Sequence, residues 1–389
     1  MILTPLYEKG LHKEAFSPRI LQESDLDGIE VSDSVKRTAL LGSEFFKKRF
    51  DEGKLFPKLE CSFEEVNLAE ELLVHDYTGK CPAETFEINP VRGCNVGCAY
   101  CLVNDGIHED PVVYENYDRL VEKKLEEQRH DAHYYYFSPK TEAMCEATLQ
   151  TGIAHRILWA FIEHFERFPD SKARLFMASK AGVKALQYVY DGDSILDLFI
   201  RLKDRMQFNT SISLFPDGSL ERIEPFSSSL ADRLAAVDLC QEHGVMASSA
   251  LVQPIMIHLL SDALLEEFFE ELSQHHIVNF KPEFLTACIE NMVLMAQILE
   301  GFNRHILKKL LETYFAEGNL DNVKQRGRTA PDRSTSAFWI NRMQEIAKRH
   351  GISMSICHWV REQLRISTAD VPLINENGFL CLGYQTRFM

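Results

Sequence analysis

The sequence predicts an α/β fold, namely a partial (βα)6 TIM-type barrel with N-terminal and C-terminal extensions. Two observations predict it: six short apolar or β-branched segments recur through the middle of the 389-residue chain, and longer helical stretches separate them. Strands that alternate with helices indicate parallel pairing through crossover helices. Six such units suit a partial barrel better than a closed one of eight. A doubly wound open sheet is the alternative architecture.

The six strands are expected at ETFEINP (84–90), HYYYFSP (133–139), ARLFMASK (173–180), FNTSISLF (208–215), VMASSALVQPI (245–255) and IVNFKPEFL (277–285). After the fourth strand, Leu230, Leu234 and Val237 recur at i, i+4 and i+7, and Gly244 follows them. This spacing predicts a helix that ends at the glycine. In both candidate architectures function collects at the carboxyl ends of the strands, so we expect the site there.

The chain divides by its pattern into three parts. Residues 1–83 are charged and weakly periodic, which predicts an N-terminal extension. Residues 84–286 hold the strand and helix units of the barrel. Residues 287–389 are predicted to form a C-terminal helical region that caps the substrate, beginning with one long helix over roughly 290–315.

Composition and charge limit the class of protein and its partners. Hydrophobic residues make up 45% and charged residues 26%, which is typical of a globular protein in water. The sequence contains no apolar run of membrane-spanning length and no secretory signal pattern, so we expect a cytoplasmic protein without a membrane partner. The formal net charge of −16 disfavours duplex DNA as a partner.

Three cysteines, Cys94, Cys98 and Cys101, follow the pattern C-x3-C-x2-C, and Tyr100 stands directly before the last of them. In a reducing compartment such a cluster indicates metal or redox chemistry rather than disulfides. Structural zinc sites usually take four ligands in separated pairs, and no second pair lies nearby in the sequence. A [4Fe-4S] cluster on three thiolates explains the count, because one iron is then left open for a substrate or cofactor.

The segment CNVGCAYC resembles the signature of the radical S-adenosylmethionine (SAM) superfamily in every position. The resemblance implies that Cys94, Cys98 and Cys101 bind the [4Fe-4S] cluster and that the open iron chelates the amino and carboxylate groups of SAM. It also implies reductive cleavage of SAM to methionine and a 5′-deoxyadenosyl radical, which abstracts hydrogen from a substrate carbon. The likeness covers the barrel, roughly residues 84–285.

A narrower resemblance joins the chain to the spore photoproduct lyase-like branch, often labelled DNA repair photolyases. INPVRGCNVGCAYC, EAMCEATLQTGIAHRILWAFI, FNTSISLF, IEPFSSSLADRLAAVDLCQEHGV and LVQPI match it in the same order. Carried over by position, Cys145 would return a hydrogen atom to a substrate radical, and Tyr100 is a further candidate catalytic residue. Lys180 and Ser211 fall where this branch contacts SAM.

The chain departs from the branch at two places. The lyases carry a tyrosine directly after the last cluster cysteine, where this chain has Leu102, so a copied radical relay through a tyrosine pair does not follow. The usual Gly-Gly-Glu element after the second strand is replaced by FSPKTE. Within that segment Ser138 and Thr141 are the candidates for contact with the amino group of SAM.

These inferences predict a radical SAM enzyme acting on a small or medium-sized organic substrate, either a specialised metabolite or a nucleoside-like molecule. A flavodoxin or ferredoxin-type protein would be its expected reductant. Two alternatives stay open: a DNA photoproduct lyase acting on a thymine lesion, and a non-enzymatic iron-sulfur or zinc protein that senses redox state. The first would need a basic groove for DNA, and the second predicts no cleavage of SAM.

Overall fold

The computed structural model describes residues 1–7, 17–56, 58–73, 85–101, 109–215, 220–286, 288–299, 304–316, 329–364, 366, 371–380 and 383–386. The strands are β1 (Ser62–Glu64), β2 (Thr85–Ile88), β3 (Val91–Arg92), β4 (Val112–Tyr114), β5 (Tyr134–Phe137), β6 (Arg174–Ser179), β7 (Val189–Tyr190), β8 (Asp193–Ser194), β9 (Met206–Leu214), β10 (Ser249–Ile255), β11 (Asn279–Phe284), β12 (Ser353–Met354), β13 (Phe379–Leu380) and β14 (Tyr384–Gln385).

The α-helices are α1 (Asp33–Asp51), α2 (Tyr117–Glu127), α3 (Glu146–Gln150), α4 (Ile153–Arg167), α5 (Val183–Leu186), α6 (Ile195–Leu202), α7 (Leu220–Ile223), α8 (Leu230–Glu242), α9 (Asp262–Gln274), α10 (Ile289–Ile298), α11 (Arg304–Phe315), α12 (Arg333–Arg349) and α13 (His358–Leu364). Two short 3-10 helices cover Glu23–Leu26 and Ile257–Leu259.

The central sheet has seven parallel strands in the order β2-β5-β6-β9-β10-β11-β12. All six predicted strands are present, and β12 adds a seventh at the edge. The spatial order follows the chain order without a reversal, whereas a doubly wound sheet reverses at its switch point. The partial-barrel prediction is therefore confirmed, and the doubly wound alternative is wrong.

The three consecutive tyrosines of β5 show how the pleat sorts side chains between the two faces of the sheet. Tyr135 points outward and packs edge-on against Phe161 of α4, with ring centroids 5.4 Å apart. Tyr134 points to the inner face and stacks on Tyr384 of β14 at 4.3 Å. Because successive residues of a strand face opposite sides, Tyr136 joins the inner cluster with Tyr134.

The helix expected after the fourth strand is confirmed as α8. Ser229 caps its amino end by accepting a hydrogen bond from the backbone N–H of Asp232 at 3.3 Å. Gly244 follows the carboxyl end with φ +77°, a conformation that glycine adopts at little cost.

The single long helix predicted over roughly 290–315 is wrong, because the structure has two helices there, α10 and α11. The backbone leaves the helical region at Leu299, where φ is −70° and ψ is 107°. Gly301 follows in the sequence, and glycine is among the poorest helix formers. Every residue of α10 from Asn291 to Ile298 is buried, so its apolar character reflects packing on all sides rather than continuation of the helix.

The hairpin β13–β14 fills the amino end of the barrel. The hydroxyl of Tyr384 lies 3.1 Å from Oγ1 of Thr85, the first residue of β2. Gly383 approaches the first residue of β10 so closely that a Cβ there would lie 2.5 Å from Oγ of Ser249. The chain itself therefore occupies the amino end of the strands.

The remaining elements pack around the sheet. Helix α1 lies against α10, and a second apolar core that includes Phe46, Met292 and Tyr314 joins the two ends of the chain. The division at residues 83 and 286 stays a prediction. None of the described helices has the length and apolar character needed to cross a membrane.

Candidate active site

The loop that carries the three cysteines begins directly after β3. This strand pairs with β4 in a small sheet of three strands, so the start of the loop is fixed. Gly93 then turns the chain with φ +77°, and a Cβ at this position would lie 2.9 Å from the carbonyl oxygen of Glu109. Only glycine fits this turn without strain, and the turn directs Cys94 toward the carboxyl end of the barrel.

Three hydrogen bonds hold the rest of the loop against its neighbours. The backbone N–H of Ala99 donates to the carbonyl of Ile223 at 2.9 Å, and the amide nitrogen of Asn291 donates to the carbonyl of Ala99 at 3.0 Å. The backbone N–H of Phe226 donates to the carbonyl of Val96 at 3.3 Å. The loop is therefore built into the fold by α7 and α10.

Cys94, Cys98 and Cys101 have half-buried side chains. Cys98 lies close enough to both of the others for charges on the sulfurs to interact. Burial raises the pKa of Cys94 and of Cys98, so thiolates at these positions require a compensating positive charge such as bound iron. Among the described residues, no three His, Cys, Asp or Glu side chains are placed to hold one metal ion.

The chemistry of this donor set fits an iron-sulfur cluster. Iron-sulfur clusters are held by cysteine thiolates. Cys94, Cys98 and Cys101 supply three thiols from one fixed loop at the carboxyl ends of parallel strands.

Cys145 lies beside this loop, at the residue that precedes α3. Its side chain is 3% exposed, and the sulfur lies 3.8 Å from Oγ1 of Thr148. It is near enough to Cys94 for charges on the two sulfurs to interact. Burial, with a smaller effect of Glu146, raises the pKa of Cys145 to about 12, so the group is an S–H at neutral pH.

Lys180 and Ser211 come together across the sheet, from the residue after β6 and from the middle of β9. Nζ of Lys180 donates a hydrogen bond to Oγ of Ser211 at 3.2 Å. Burial alone would lower the pKa of Lys180, but the negative charges of Glu224, Cys98 and Glu142 outweigh burial and raise it. The site therefore contains a fixed ammonium group next to a hydroxyl.

Ser138 and Thr141 follow β5 and carry hydroxyls that no other described group binds. Ser138 is buried with φ +54°, an unusual conformation for a residue other than glycine. Oγ of Ser138 and Oγ1 of Thr141 are both shielded from solvent and lack a hydrogen-bond partner within the described part of the chain. Buried hydroxyls of this kind call for a water or a ligand, so both fit contact with a polar cofactor.

Tyr100 is buried between the cysteine loop and β9. Its hydroxyl lies 2.7 Å from Oγ of Ser213 and donates to the carboxylate of Glu224. Its ring stacks on Phe215 with centroids 6.2 Å apart. Leu102, where the resemblance fails, lies outside the described residues.

Sequence analysis missed Glu142, which ends the FSPKTE segment. Its carboxylate is buried and accepts hydrogen bonds from the backbone N–H of Lys180 at 2.8 Å and from Oγ of Ser179. The sequence did point to Glu142, because it is an acidic residue at the end of the segment that replaces the Gly-Gly-Glu element of the family that this chain resembles. Glu142 ties the segment after β5 to the end of β6.

Sequence analysis also missed the ion pair between Glu224 and Arg233, both fully buried. Arg233 donates further hydrogen bonds to the carbonyl of Ser211 at 2.9 Å and to Oγ of Ser227 at 2.6 Å. The sequence did indicate that Arg233 is unusual, because it stands in α8 three residues after Leu230, on the apolar side of the helix. The pair connects α8 to the strand that carries Ser211.

The first seven residues, here called the strap, cross the outside of this site. The backbone N–H of Leu6 donates to Oε1 of Glu146 at 3.0 Å, and the hydroxyl of Tyr7 accepts from the backbone N–H of Gly182 at 2.9 Å. Tyr7 lines a cleft, here called the Cys145 cleft, together with Val96, Glu142, Cys145, Lys180 and Ser227. The strap thus forms part of the wall of the site.

Comparison with solved structures addresses the fold. A cysteine-to-alanine mutant of spore photoproduct lyase, bound to dinucleoside spore photoproduct, aligns at a TM-score of 0.53 and 14% identity, covering 86% of this chain and 88% of that chain. The chain has the fold of spore photoproduct lyase. No family model and no curated protein matches the sequence.

Two further structures align less well. A histidine-tagged anSMEcpe with bound AdoMet aligns at a TM-score of 0.36 and 12% identity, covering 52% of this chain and 51% of that chain. Methylornithine synthase (PylB) aligns at 0.38 and 8% identity, covering 88% and 83%.

Proposed function

We propose that this protein is a radical SAM enzyme acting on a small or medium-sized organic substrate. The observation that supports it is the meeting of the cysteine loop, the Lys180–Ser211 pair and Cys145 at the carboxyl ends of β2, β5, β6 and β9. When bound, a [4Fe-4S] cluster and SAM supply a 5′-deoxyadenosyl radical that abstracts hydrogen from a substrate carbon.

In this proposal Cys94, Cys98 and Cys101 hold the cluster, and four polar side chains hold SAM. The Lys180 ammonium pairs with the carboxylate of SAM by a charge-assisted hydrogen bond, and the Ser211 hydroxyl binds the ribose. Ser138 and Thr141 accept hydrogen bonds from the SAM amino group with the hydroxyl oxygens that lack a partner among the described residues.

Cys145 is proposed to return a hydrogen atom to the substrate radical. The role requires a protonated thiol within the cavity and away from solvent. Cys145 meets both needs, since it is 3% exposed, lines the Cys145 cleft and stays S–H at neutral pH. Tyr100 holds the cluster loop through its contacts with Ser213 and Glu224.

The substrate is proposed to be a specialised metabolite or a nucleoside-like molecule. The amino end of the barrel is filled by β13–β14, and Tyr7 of the strap lines the Cys145 cleft. We infer a cytoplasmic enzyme whose electrons come from a flavodoxin or ferredoxin-type protein. The net charge of −16 opposes binding to duplex DNA.

The test uses anaerobically purified, iron-reconstituted protein mixed with dithionite and SAM, and 5′-deoxyadenosine is measured by chromatography. We expect product from the wild type and none from Cys98→Ala. Cys240→Ala is the matched control, because Cys240 is a buried cysteine on α8 outside the loop, and it should keep the activity. An intact cluster without product, in the presence and absence of candidate substrates, would contradict the proposal.

The DNA photoproduct lyase alternative is separated by a second measurement. It predicts binding to a thymine-dimer oligonucleotide that weakens steeply with salt, since phosphate contacts release counterions. The proposal made here predicts no binding that depends on the lesion at moderate salt. The redox-sensor alternative predicts a cluster that cycles without cleaving SAM, which the chromatographic assay detects directly.

A further inference from the structure

Glu142 holds the main chain around Lys180. Lys180 follows the last residue of β6, so its main chain lies beyond the regular pairing of the sheet. Oε2 of Glu142 accepts from the backbone N–H of Lys180 at 2.8 Å, and Oε1 accepts from Oγ of Ser179. Oγ of Ser179 also accepts from the backbone N–H of Ala181 at 3.0 Å. One buried carboxylate thus fixes the turn that carries Lys180, partly through Ser179.

Ser228 holds the same residue by its other main-chain group. Its Oγ donates a hydrogen bond to the carbonyl oxygen of Lys180 at 2.6 Å, and the side chain is buried. Arg233 fixes Ser228 in turn, because its Nε donates to the carbonyl oxygen of Ser228 at 3.1 Å. Side chains from two other segments therefore bind both the N–H and the C=O of Lys180, in place of a neighbouring strand.

Glu142 also ends the short segment that carries Ser138 and Thr141. It stands one residue after Thr141, and its Oε1 accepts from the backbone N–H of Met144 at 3.2 Å. Because the same carboxylate binds the main chain of Lys180, it links the two segments that carry the proposed contacts with SAM. The amino and carboxylate groups of SAM branch from one carbon, so these contacts must keep a fixed separation.

We propose that Glu142 is a positioning residue for SAM that acts through Lys180, with Ser228 holding the carbonyl side. This inference rests on the proposed function, which places the carboxylate of SAM at the Lys180 ammonium. Lysine has a flexible four-carbon side chain, so the place of its ammonium depends on how firmly the main chain is held. Fixing the main chain in advance lowers the ordering cost that SAM binding must overcome. The role requires no contact between Glu142 and SAM.

Two substitutions at Glu142 separate positioning from direct contact. Glu142→Ala removes the acceptor and should weaken SAM binding about tenfold in isothermal titration of the reconstituted protein. Glu142→Gln keeps an oxygen that accepts from Lys180, and its amide nitrogen can donate to Oγ of Ser179, so its affinity should stay close to that of the wild type. If Glu142→Gln lost as much affinity as Glu142→Ala, the negative charge itself would be required and the positioning role would be overturned.

A double-variant cycle tests whether the effect passes through Lys180. In a Lys180→Met background, Glu142→Ala should cause no further loss of SAM affinity, because the group that it positions is gone. Independent losses from the two substitutions would overturn the inference. Asp232→Ala is the matched control, because Asp232 accepts from the backbone N–H of Val183 at 3.2 Å, on the same loop but three residues beyond Lys180. It should keep the affinity of the wild type, and a loss as large as in Glu142→Ala would overturn the specific role of Glu142.

Hydrogen exchange of the protein without SAM gives a second readout. The backbone N–H of Lys180 should exchange several-fold faster in Glu142→Ala than in the wild type, since its acceptor is removed. Exchange at the rate of the wild type would show that Glu142 does not hold this residue, which overturns the inference. If Glu142→Ala does not fold, Ser228→Ala decides: it should weaken SAM binding several-fold, and unchanged affinity overturns the inference.

The failure of this inference differs from the failure of the proposed function. A wild type that binds SAM, with the same affinity in Glu142→Ala, overturns the role of Glu142 and leaves the proposed function standing. A reconstituted wild type that binds no SAM overturns the proposed function, and the positioning role falls with it.

Discussion

The ammonium of Lys180 and the hydroxyl of Ser211 meet at 3.2 Å although 31 residues separate them in the sequence. The contact exists because β6 and β9 are parallel neighbours, with Ser179 opposite Thr210, so that the next residue of each strand lies at the same height. Parallel pairing thereby brings two predicted SAM contacts, taken from separate segments, to one place.

Replacing Lys180 with Met should weaken SAM binding roughly tenfold to a hundredfold. A charge-assisted hydrogen bond contributes about 1.5–3 kcal/mol, and the methionine removes the charge while keeping most of the side-chain length. Isothermal titration of SAM into the reconstituted protein measures the effect. Lys184→Met is the control, since Lys184 is exposed on α5 only four residues away, and unchanged affinity in Lys180→Met would contradict the assigned role.

Removing one member of the buried Glu224–Arg233 pair should destabilise the fold by about 3–5 kcal/mol. Arg233→Met leaves the Glu224 carboxylate without its cation in a place that excludes water, whereas Glu224→Gln together with Arg233→Met leaves no unpaired charge. Urea unfolding followed by circular dichroism should therefore show the double variant as more stable than Arg233→Met alone. Additive effects of the two substitutions would show that the pair is not coupled.

Acid stability should depend on Glu224. Its pKa falls from 4.5 to about 2 on folding, so its ionisation adds about 3 kcal/mol of stability that is fully present above pH 4.5 and is lost as the pH falls toward 2. Between pH 6 and pH 3 the wild type should lose about 2 kcal/mol more than Glu224→Gln. Urea midpoints across this range measure the difference, and parallel curves for the two proteins would contradict it.

The sequence predicted the six central strands because each is a short apolar run, and burial on both faces of a parallel sheet requires such runs. It could place Arg233 on the apolar side of α8, but no local pattern identifies Glu224, nine positions away, as its buried partner. The sequence predicted site residues only where they share one short segment with a recognisable motif. Cys94, Cys98 and Cys101 share one loop, but the strap reaches the site from the far end of the chain.

Residues 290–315 illustrate a different limit. Apolar side chains continue through this segment, so periodicity alone could not place the break between α10 and α11. Packing decides it: both helices lie in the second core, but α10 contacts α1, while α11 contacts α10 and the 3-10 helix after β10. Tertiary contacts therefore set the break between the two helices. The one sign of this break in the sequence is the weak helix propensity of Gly301.

The strap should control access of solvent to Cys145. Glu146 holds it by accepting a hydrogen bond from the backbone N–H of Leu6, so Glu146→Ala removes this acceptor. In that variant we expect the peptide of residues 1–7 to exchange its amide hydrogens several-fold faster in hydrogen exchange followed by mass spectrometry, because opening a local contact costs less free energy. The freed Tyr7 would no longer close the Cys145 cleft.

The same variant should let iodoacetamide reach Cys145, which in the wild type is 3% exposed and has a raised pKa. Alkylation remains slow at neutral pH because the thiolate is the reactive form, so labelling is compared over hours at pH 9. Glu163→Ala, at an exposed position on α4, should behave as the wild type in both measurements. Equal exchange and equal labelling in Glu146→Ala and wild type would contradict this role of Glu146, because the bonds of Met1, Leu3 and Thr4 would then suffice to hold the strap closed.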